Sequence, residues 1–410
     1  EGAIRSHRTA IEIDPKCVSA HTNLGVALKA MGDLEGAMRC YRTAIEINPK
    51  YVSAHTNLGN ALYRARDLEG AIRCYRTAID LTPKDADAHY KLGNALYAKQ
   101  DLDGAIRCFR TAVKIDPKLV QAHTNLGNAL SDRGDLEGAI RCFRTALEID
   151  PKFAKAHCNL GVALEAKGDL DGAIRCYRTA IELDSKLAQA HGALGHALLA
   201  QGRFAEAHAA TQKALQLLQP EHPIHAVVSR LVRVCEALQA LDAKLPAILK
   251  GEVKPTDLDE ELALANLCQQ YKKLYAAAAR FYSDAFAADP KRADDLRTQH
   301  RYNAACAAAL AGCGQGEDAA KLDDKERARL RKQALEWLRA DLAAYAKLVD
   351  KGPDQARAFV QQRLQHWQKD ADLASVRADA LAKLPEAERD GWRKLWADVD
   401  TLRKRVAESK

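Results

Sequence analysis

Ala20-His21-Thr22-Asn23-Leu24-Gly25 returns 34 residues later as Ala54-His55-Thr56-Asn57-Leu58-Gly59. A further step of 34 gives Ala88-His89-Tyr90-Lys91-Leu92-Gly93, and the next gives Ala122-His123-Thr124-Asn125-Leu126-Gly127. Self-similarity at a fixed period marks a stack of one supersecondary unit. No single unit buries its apolar face alone; stacking builds a continuous core.

Let Val18 be position 1 of a unit. Leu24, Gly25 and Leu28, flanked by Ala20, Ala27 and Met31, then have helical spacing with one broad apolar face. Gly32-Asp33 interrupts the pattern. A second helix is expected with Ala37, Tyr41, Ala44 and Ile45 on its buried face, ended by Pro49. Gly25 falls in mid-helix, where glycine costs about 1 kcal/mol against alanine. Close approach of the neighbouring helix is the expected reason for it.

The period and these residues resemble the tetratricopeptide repeat family, with small or apolar residues at positions 7 and 8, Ala at 20, an aromatic at 24, Ala at 27 and Pro at 32. Six units fit, opening at Val18, Val52, Ala86, Val120, Ala154 and Ala188. The fifth has Ser185 in place of the proline. The sixth has Ala210 in place of the aromatic, and its Pro220 falls one place late. The resemblance implies an all-α fold: a right-handed superhelical solenoid of stacked helix-turn-helix repeats, followed here by irregular helical repeats. Glu1-Gly2-Ala3-Ile4-Arg5 matches Glu35-Gly36-Ala37-Met38-Arg39, so the chain is expected to be a fragment that opens on an orphan second helix.

The expected segments are that helix at 1–16, six repeats at 18–221, a helix and connector at 222–257, degenerate helical pairs at 258–350 and further helices at 351–410. Ile224 to Leu241 reads as a long helix, and Leu245-Pro246 to Lys254-Pro255 as irregular chain. Ala278, Tyr282, Ala285 and Pro290 keep a worn second-helix spacing, and Tyr302 to Leu310 reads as a first helix. Asp323 with Glu326 makes a capping-box-like start for a helix to about Val349. Pro353 and Pro385 each suit the first turn of another helix. All four tryptophans (Trp337, Trp367, Trp392, Trp396) fall in this last part at helical spacing, as core residues do.

Tyr271-Lys272-Lys273-Leu274-Tyr275, Tyr302 to Gly316, Trp337 to Leu342 and Trp392-Arg393-Lys394-Leu395-Trp396 resemble the tail of bacterial proteins that join tetratricopeptide arrays to serine/threonine kinase domains. The resemblance implies a non-catalytic regulatory or substrate-docking segment. The kinase motifs themselves are not in this sequence, nor is any Ser/His/Asp or Cys/His set with meaningful spacing, so no enzyme is expected. The loop Gly312-Cys313-Gly314-Gln315-Gly316 has neither a preceding strand nor a following Lys-Ser/Thr, which argues against a phosphate cradle.

Lysine and arginine number 62 against 55 acidic residues, a net charge of +7, too mild to call for nucleic acid. Five of the eleven cysteines (Cys40, Cys74, Cys108, Cys142, Cys176) share one repeat position. Equivalent atoms of stacked helices lie about 8–10 Å apart, beyond the Cα separation of about 7 Å that a disulfide spans. They are expected as half-buried thiols, which places the chain in a reducing compartment such as the cytoplasm. No apolar run is long enough to span a membrane. Neither zinc spacing nor any cofactor motif appears.

Three rows of polar residues compete for a binding role. His21, His55, His89, His123, His157 and His191 stand too far apart along a stack to converge on one metal ion, so packing with a polar tip is expected. Arg39, Arg73, Arg107, Arg141 and Arg175 form a second row, and Arg42, Arg76, Arg110, Arg144 and Arg178 a third. Both face acidic residues at i,i+4 such as Glu35 and Glu46, which reads as a self-neutralised convex surface rather than a nucleic-acid face.

Positions 2, 6, 9 and 13 form a stripe on the first helix that should face neither the second helix nor the next repeat. It collects Asn23, Asn57, Asn60, Asn94, Asn125, Asn128 and Asn159, seven of the ten asparagines in the chain. Asparagine is a poor helix former, but its carboxamide donates and accepts, which suits a peptide backbone. The stripe is similar to the asparagine ladder of the O-GlcNAc transferase repeats, which implies an extended peptide held at Asn23, Asn57, Asn125 and Asn159. Lys91 and Ala193 depart from that ladder. Arg64, Asp87, Lys91, Asp132 and Lys155 vary between rungs and are the expected specificity residues. The expected function is a protein-interaction scaffold for protein or peptide segments, with self-association as a further mode.

Overall fold

The computed structural model describes residues 1–352 and 354–408; Pro353 lies outside the described residues. All regular structure among them is helical. α1 (Gly2–Ile13) precedes five helix pairs: α2 (Val18–Ala30) with α3 (Leu34–Ile47), α4 (Val52–Arg64) with α5 (Leu68–Leu81), α6 (Ala86–Ala98) with α7 (Leu102–Ile115), α8 (Val120–Asp132) with α9 (Leu136–Ile149), and α10 (Ala154–Ala166) with α11 (Leu170–Leu183). Helices α12 (Ala188–Ala200) and α13 (Phe204–Leu217) occupy the positions of the expected sixth pair.

Each pair turns in the same way, and the sequence says why. The second residue after the first helix takes a left-handed conformation, at Gly32 (φ 89°), Gly134 (φ 89°) and Gly168 (φ 85°), which suits glycine. Arg66 (φ 65°) and Gln100 (φ 68°) adopt it without that freedom. Asp33, Asp67, Asp101, Asp135 and Asp169 then cap the second helix, each carboxylate accepting from the backbone N–H of the glycine three residues on at 2.8–2.9 Å.

The core follows the period. Tyr41, Tyr75, Phe109, Phe143 and Tyr177 are buried, as are Ala37, Ala71, Ala105, Ala139 and Ala173. Each ring lies against the mid-helix glycine of its own pair: a Cβ on Gly59 would fall 2.6 Å from Tyr75 Cε1, and one on Gly93 2.5 Å from Phe109 Cε1. Met31, counted above with the apolar face, is instead 60% exposed at the helix end.

The chain divides into two units, an array unit (1–198 with 209–229) and a C-terminal unit (199–208 with 230–410). In the latter, α14 (His225–Leu249) runs through Pro246. The irregular connector expected from Leu245 is therefore shorter, beginning after Leu249. Leu245 and Ile248 are buried, and their anchoring holds the last turn helical although Pro246 removes a backbone donor. α15 (Leu258–Leu267) passes into a π-turn, Cys268–Lys272, then α16 (Tyr275–Ala288), α17 (Lys291–Asp294) and α18 (His300–Gly312). α19 (Asp324–Lys351) starts at the expected cap, Asp323 accepting from Glu326 N–H at 2.8 Å, and packs on α18. α20 (Asp354–Lys369), two 3-10 turns (Ala371–Val376, Ala378–Lys383) and α21 (Glu386–Glu408), preceded directly by Pro385, complete the unit. Trp367 and Trp392 are buried; Trp337 stands edge-on to Phe286, and Trp396 donates to the Val376 carbonyl at 2.7 Å.

Candidate functional site

The histidine row is a structural device. Nε2 of His21, His55, His89, His123, His157 and His191 lies 2.8–3.1 Å from the backbone carbonyl six residues earlier, at Pro15, Pro49, Pro83, Pro117, Pro151 and Ser185. A carbonyl only accepts, so each Nε2 carries the proton and ties the inter-repeat turn to the next first helix. His123→Leu keeps bulk and removes the donor. It is expected to cost about 1 kcal/mol in urea unfolding followed by far-ultraviolet circular dichroism; an unchanged midpoint would show the tie to be idle.

The cysteine row is half-buried, and burial pushes the thiols of Cys40, Cys74, Cys108, Cys142 and Cys176 up from their ordinary range. All ten row arginines are exposed. The repeated i,i+4 pairing expected there is corrected: Glu35 meets Arg39 at 4.0 Å, but in the second, third and fourth repeats the acid turns to the following unit. Glu69 pairs with Lys99 (2.5 Å), Asp103 with Arg133 (3.3 Å) and Glu137 with Lys167 (2.5 Å). The end of the next first helix comes nearer to the acid than its own i+4 neighbour does.

The asparagine stripe lies on α2, α4, α6, α8 and α10. Asn23, Arg64, Asp87, Asp132 and Lys155 are exposed, while Asn57, Asn60, Lys91, Asn94, Asn125, Asn128 and Asn159 are half-buried. The stripe does meet its neighbours, contrary to expectation. Asn125 Nδ2 donates to Asn94 Oδ1 at 2.7 Å, and Asn159 Nδ2 to Asn128 Oδ1 at 2.8 Å. Asn60 Oδ1 accepts from the Tyr75 hydroxyl on the second helix of its own pair at 2.8 Å. Stacked first helices are offset by about one turn, which brings position 9 of one repeat level with position 6 of the next. Lys91 pairs with Asp87, and the Tyr97 hydroxyl donates to Asp132 of the following repeat. Asn23, Asn57 and Arg64 have no hydrogen bond or ion pair among the described residues.

These contacts leave carboxamide capacity unspent. An asparagine has two donor hydrogens and an acceptor oxygen with two lone pairs. Asn94 uses its oxygen and keeps its NH2; Asn125 uses its NH2 and keeps its oxygen. Across the third to sixth repeats a cavity of about 440 Å³ opens, lined in part by Asn128, Asp132, Lys155 and Asn159, all four of them stripe residues. Its floor includes Phe143 and Cys158, both about 1% exposed, beside the 42% exposed Val162. Burial, with the Asp132 carboxylate, pushes the Tyr97 phenol up to about 12, so it remains a donor at neutral pH.

The sequence reading missed Tyr97, Val162 and a cluster beyond them. Glu165 accepts from the Tyr177 hydroxyl at 2.7 Å and stands 2.6 Å from His196 Nδ1. Burial opposes ionisation of Glu165, but its hydrogen bonds from His196 and Tyr177 win and hold it below the usual carboxylate range. The same bond raises His196. The missing signal was the spacing of 31 and 35 residues, three short of and one beyond the period, at which side chains of successive first helices meet.

Among the described residues no group of three or more His, Cys, Asp or Glu could hold a metal ion, and no helix is long and apolar enough to cross a membrane. Family models described as tetratricopeptide repeat match residues 56–119 and 108–141, and one described as TPR repeat matches 27–65, 127–168 and 163–202. No curated protein matches the chain. Among solved structures, MamA is 26% identical, with 40% of this chain covering 97% of that one at a TM-score of 0.38. YrrB, described as a TPR protein with an unusual peptide-binding site, is 24% identical over 45% of this chain and 95% of its own, at a TM-score of 0.39. PilF of Pseudomonas aeruginosa is 18% identical over 52% and 96%, at a TM-score of 0.46. The family matches tile residues 27–202 and fall on the helix pairs described above, so this stretch of the chain is an array of tetratricopeptide repeats.

Proposed function

We propose that the array binds an extended segment of a partner protein along a concave groove formed by its first helices. Tetratricopeptide repeats are generally protein–protein interaction modules; the finer reading rests on the cavity lined by Asn128, Asp132, Lys155 and Asn159. Carboxamides tied to each other from repeat to repeat are held in place before a ligand arrives, so little side-chain entropy is lost on binding. Their spare donors and acceptors alternate, as the groups of an extended peptide backbone do. Val162 and the cavity floor would take a ligand side chain, with Lys155 and Asp132 at the rim choosing its charge.

The same groove would serve the kinase-linked docking role that the C-terminal stretches suggest, so one experiment serves both. Peptides selected from a displayed random library on the full chain are measured by fluorescence anisotropy against Asn128→Ala/Lys155→Ala and against Arg107→Ala/Arg141→Ala on the opposite row. The first pair is expected to weaken binding about tenfold or more, the loss of one or two charge-assisted hydrogen bonds, and the second to leave it unchanged. Equal losses in both, or losses only in the arginine pair, would remove the groove reading.

A further inference from the structure

A second cavity, of about 420 Å³, lies wholly within the C-terminal unit, and no motif or family match accounts for it. The π-turn, α18, α20 and the first 3-10 turn close around it. Its wall is polar to an unusual degree for the inside of a helical unit: Gln269, Gln270, Gln299, Asn303 and Gln362 bring five carboxamides to one space. Polar groups inside a fold cost free energy unless partnered, and here the partnering is incomplete. Gln269 is 5% exposed and its Oε1 has no hydrogen-bond partner among the described residues. Nε of Arg363 is likewise buried and unpartnered, while its Nη1 donates to Gln299 Oε1 at 2.7 Å.

The backbone around the cavity is held in uncommon conformations. Gln299 has a left-handed φ of 58°, and the π-turn that carries Gln269 and Gln270 ends on Lys273 at φ 53°. Non-glycine residues adopt that region at a cost in backbone strain, and π-turns recur at functional sites. Both features place side chains at this cavity that regular helix would turn elsewhere.

The charges left without an ion pair define the ligand. Asp370 is fully engaged: it accepts from the Tyr302 hydroxyl at 2.5 Å and from Asp372 N–H at 2.9 Å, and its carboxylate stands 3.2 Å from His366 Nε2. The side chain of Asp372 has no hydrogen bond or ion pair among the described residues, and burial with the neighbouring Asp370 charge raises it above the usual carboxylate range. The Arg363 guanidinium has no carboxylate partner among the described residues; it lies over the Phe359 ring. One cavity thus holds a guanidinium in want of an anion and a carboxylate in want of a cation, surrounded by carboxamides that accept and donate. Apolar or singly charged ligands would leave one of the two unmatched.

We propose that this cavity binds a small zwitterion of the free amino-acid class, with its carboxylate on Arg363 and its ammonium on Asp372. The carboxamides of Gln269, Gln362 and Asn303 would receive a polar side chain. At about 420 Å³ the space lies within the range of small-molecule sites, about 300–1,000 Å³. A built-in reporter is present: Trp367 stacks on Tyr302, which lines the cavity, with ring centroids 5.4 Å apart and planes at 14°.

The test is titration of the full chain with a panel of free L-amino acids, read by calorimetry and by indole fluorescence. At least one polar amino acid is expected to bind. Its N-acetylated and decarboxylated analogues are expected to bind about tenfold more weakly or worse, each having lost one charge-assisted contact. Asp372→Asn should erase the penalty for N-acetylation, and Arg363→Gln the penalty for decarboxylation. Gln269→Met should weaken binding yet raise the stability of the unliganded chain, because it removes an unpartnered buried amide. That last variant keeps the proposal testable if either charge variant fails to fold. The absence of binding by every amino acid would overturn the proposal and leave a cavity that holds only water; tighter binding of glucose, or equal affinity for the N-acetylated analogue, would overturn the assignment of a zwitterion.

Discussion

Gly93→Ala is expected to destabilise the array by about 1–3 kcal/mol, although alanine is the better helix former by about 1 kcal/mol. The opposed effects are decided by distance. A Cβ at residue 93 falls 2.5 Å from Cε1 and 2.7 Å from Cδ1 of Phe109, closer than carbon atoms pack. Phe109 is fully buried, so its ring has no solvent into which to retreat. Displacing it disturbs the interfaces that the ring completes, and in a stacked array those interfaces hold the stability. Gly192→Ala supplies the control. Gly192 is another helical glycine, at the fifth position of the sixth unit, where other units carry Thr, Tyr or Cys, and a Cβ there meets only Ala214 Cβ at 3.8 Å. That substitution should stabilise by up to about 1 kcal/mol through helix propensity alone. Gly93→Ala with Phe109→Ala should cost less than the sum of the two single changes, because the new methyl enters the space the ring has left. The check is urea unfolding followed by far-ultraviolet circular dichroism. A Gly93→Ala chain as stable as its parent, or a Gly192→Ala chain that loses as much, would refute the packing account.

The mid-helix glycine shows what a sequence can disclose. Its cost is visible without coordinates, and close packing is the ordinary compensation, so Gly25, Gly59, Gly93, Gly127 and Gly161 could be read as contact points from the 34-residue period alone. Helix limits were equally legible, since the turn residues and prolines recur with the period. The asparagine face was legible only in part. Position within a repeat was fixed by counting, but the bond from Asn125 to Asn94 depends on how far one helix pair slides along the next. That offset is set by packing and appears nowhere in one unit. Pro246 misled for a related reason: the chain effect of proline is local, whereas the burial of Leu245 and Ile248 that outweighs it is tertiary. The cavity of the C-terminal unit had no signal at all, because residues 269–270, 299–306 and 362–372 come together without period or motif.

Arg301→Met is expected to cost the C-terminal unit about 3–5 kcal/mol at pH 8 and much less near pH 4.5. Arg301 Nε donates to Asp341 Oδ1 at 2.7 Å, and its Nη1 donates to Asp294 at 3.0 Å. Asp341 is 2% exposed. Burial pushes its carboxyl up to about 6 from an ordinary 3.8, even though the Arg301 guanidinium pulls it down. An acid with a raised pKa holds its proton more tightly in the folded chain than in the unfolded one. The stability this group contributes is therefore fully present below about pH 3.8 and is lost as pH rises through about 6. By linkage the difference amounts to about 3 kcal/mol between those limits. Removing the guanidinium takes away the one influence that favours the charged form, so the variant's pH slope steepens and extends to higher pH. Asp341→Asn abolishes the titration: relative to the parent, its stability should improve by about 3 kcal/mol between pH 3.5 and pH 8. All four tryptophans lie between residues 337 and 396, so indole fluorescence during urea unfolding reads this unit without interference from the array. If the stability difference between Asp341→Asn and the parent is the same at both ends of that range, Asp341 does not hold its proton at the raised pKa, and burial without adequate pairing is not what limits this unit at neutral pH.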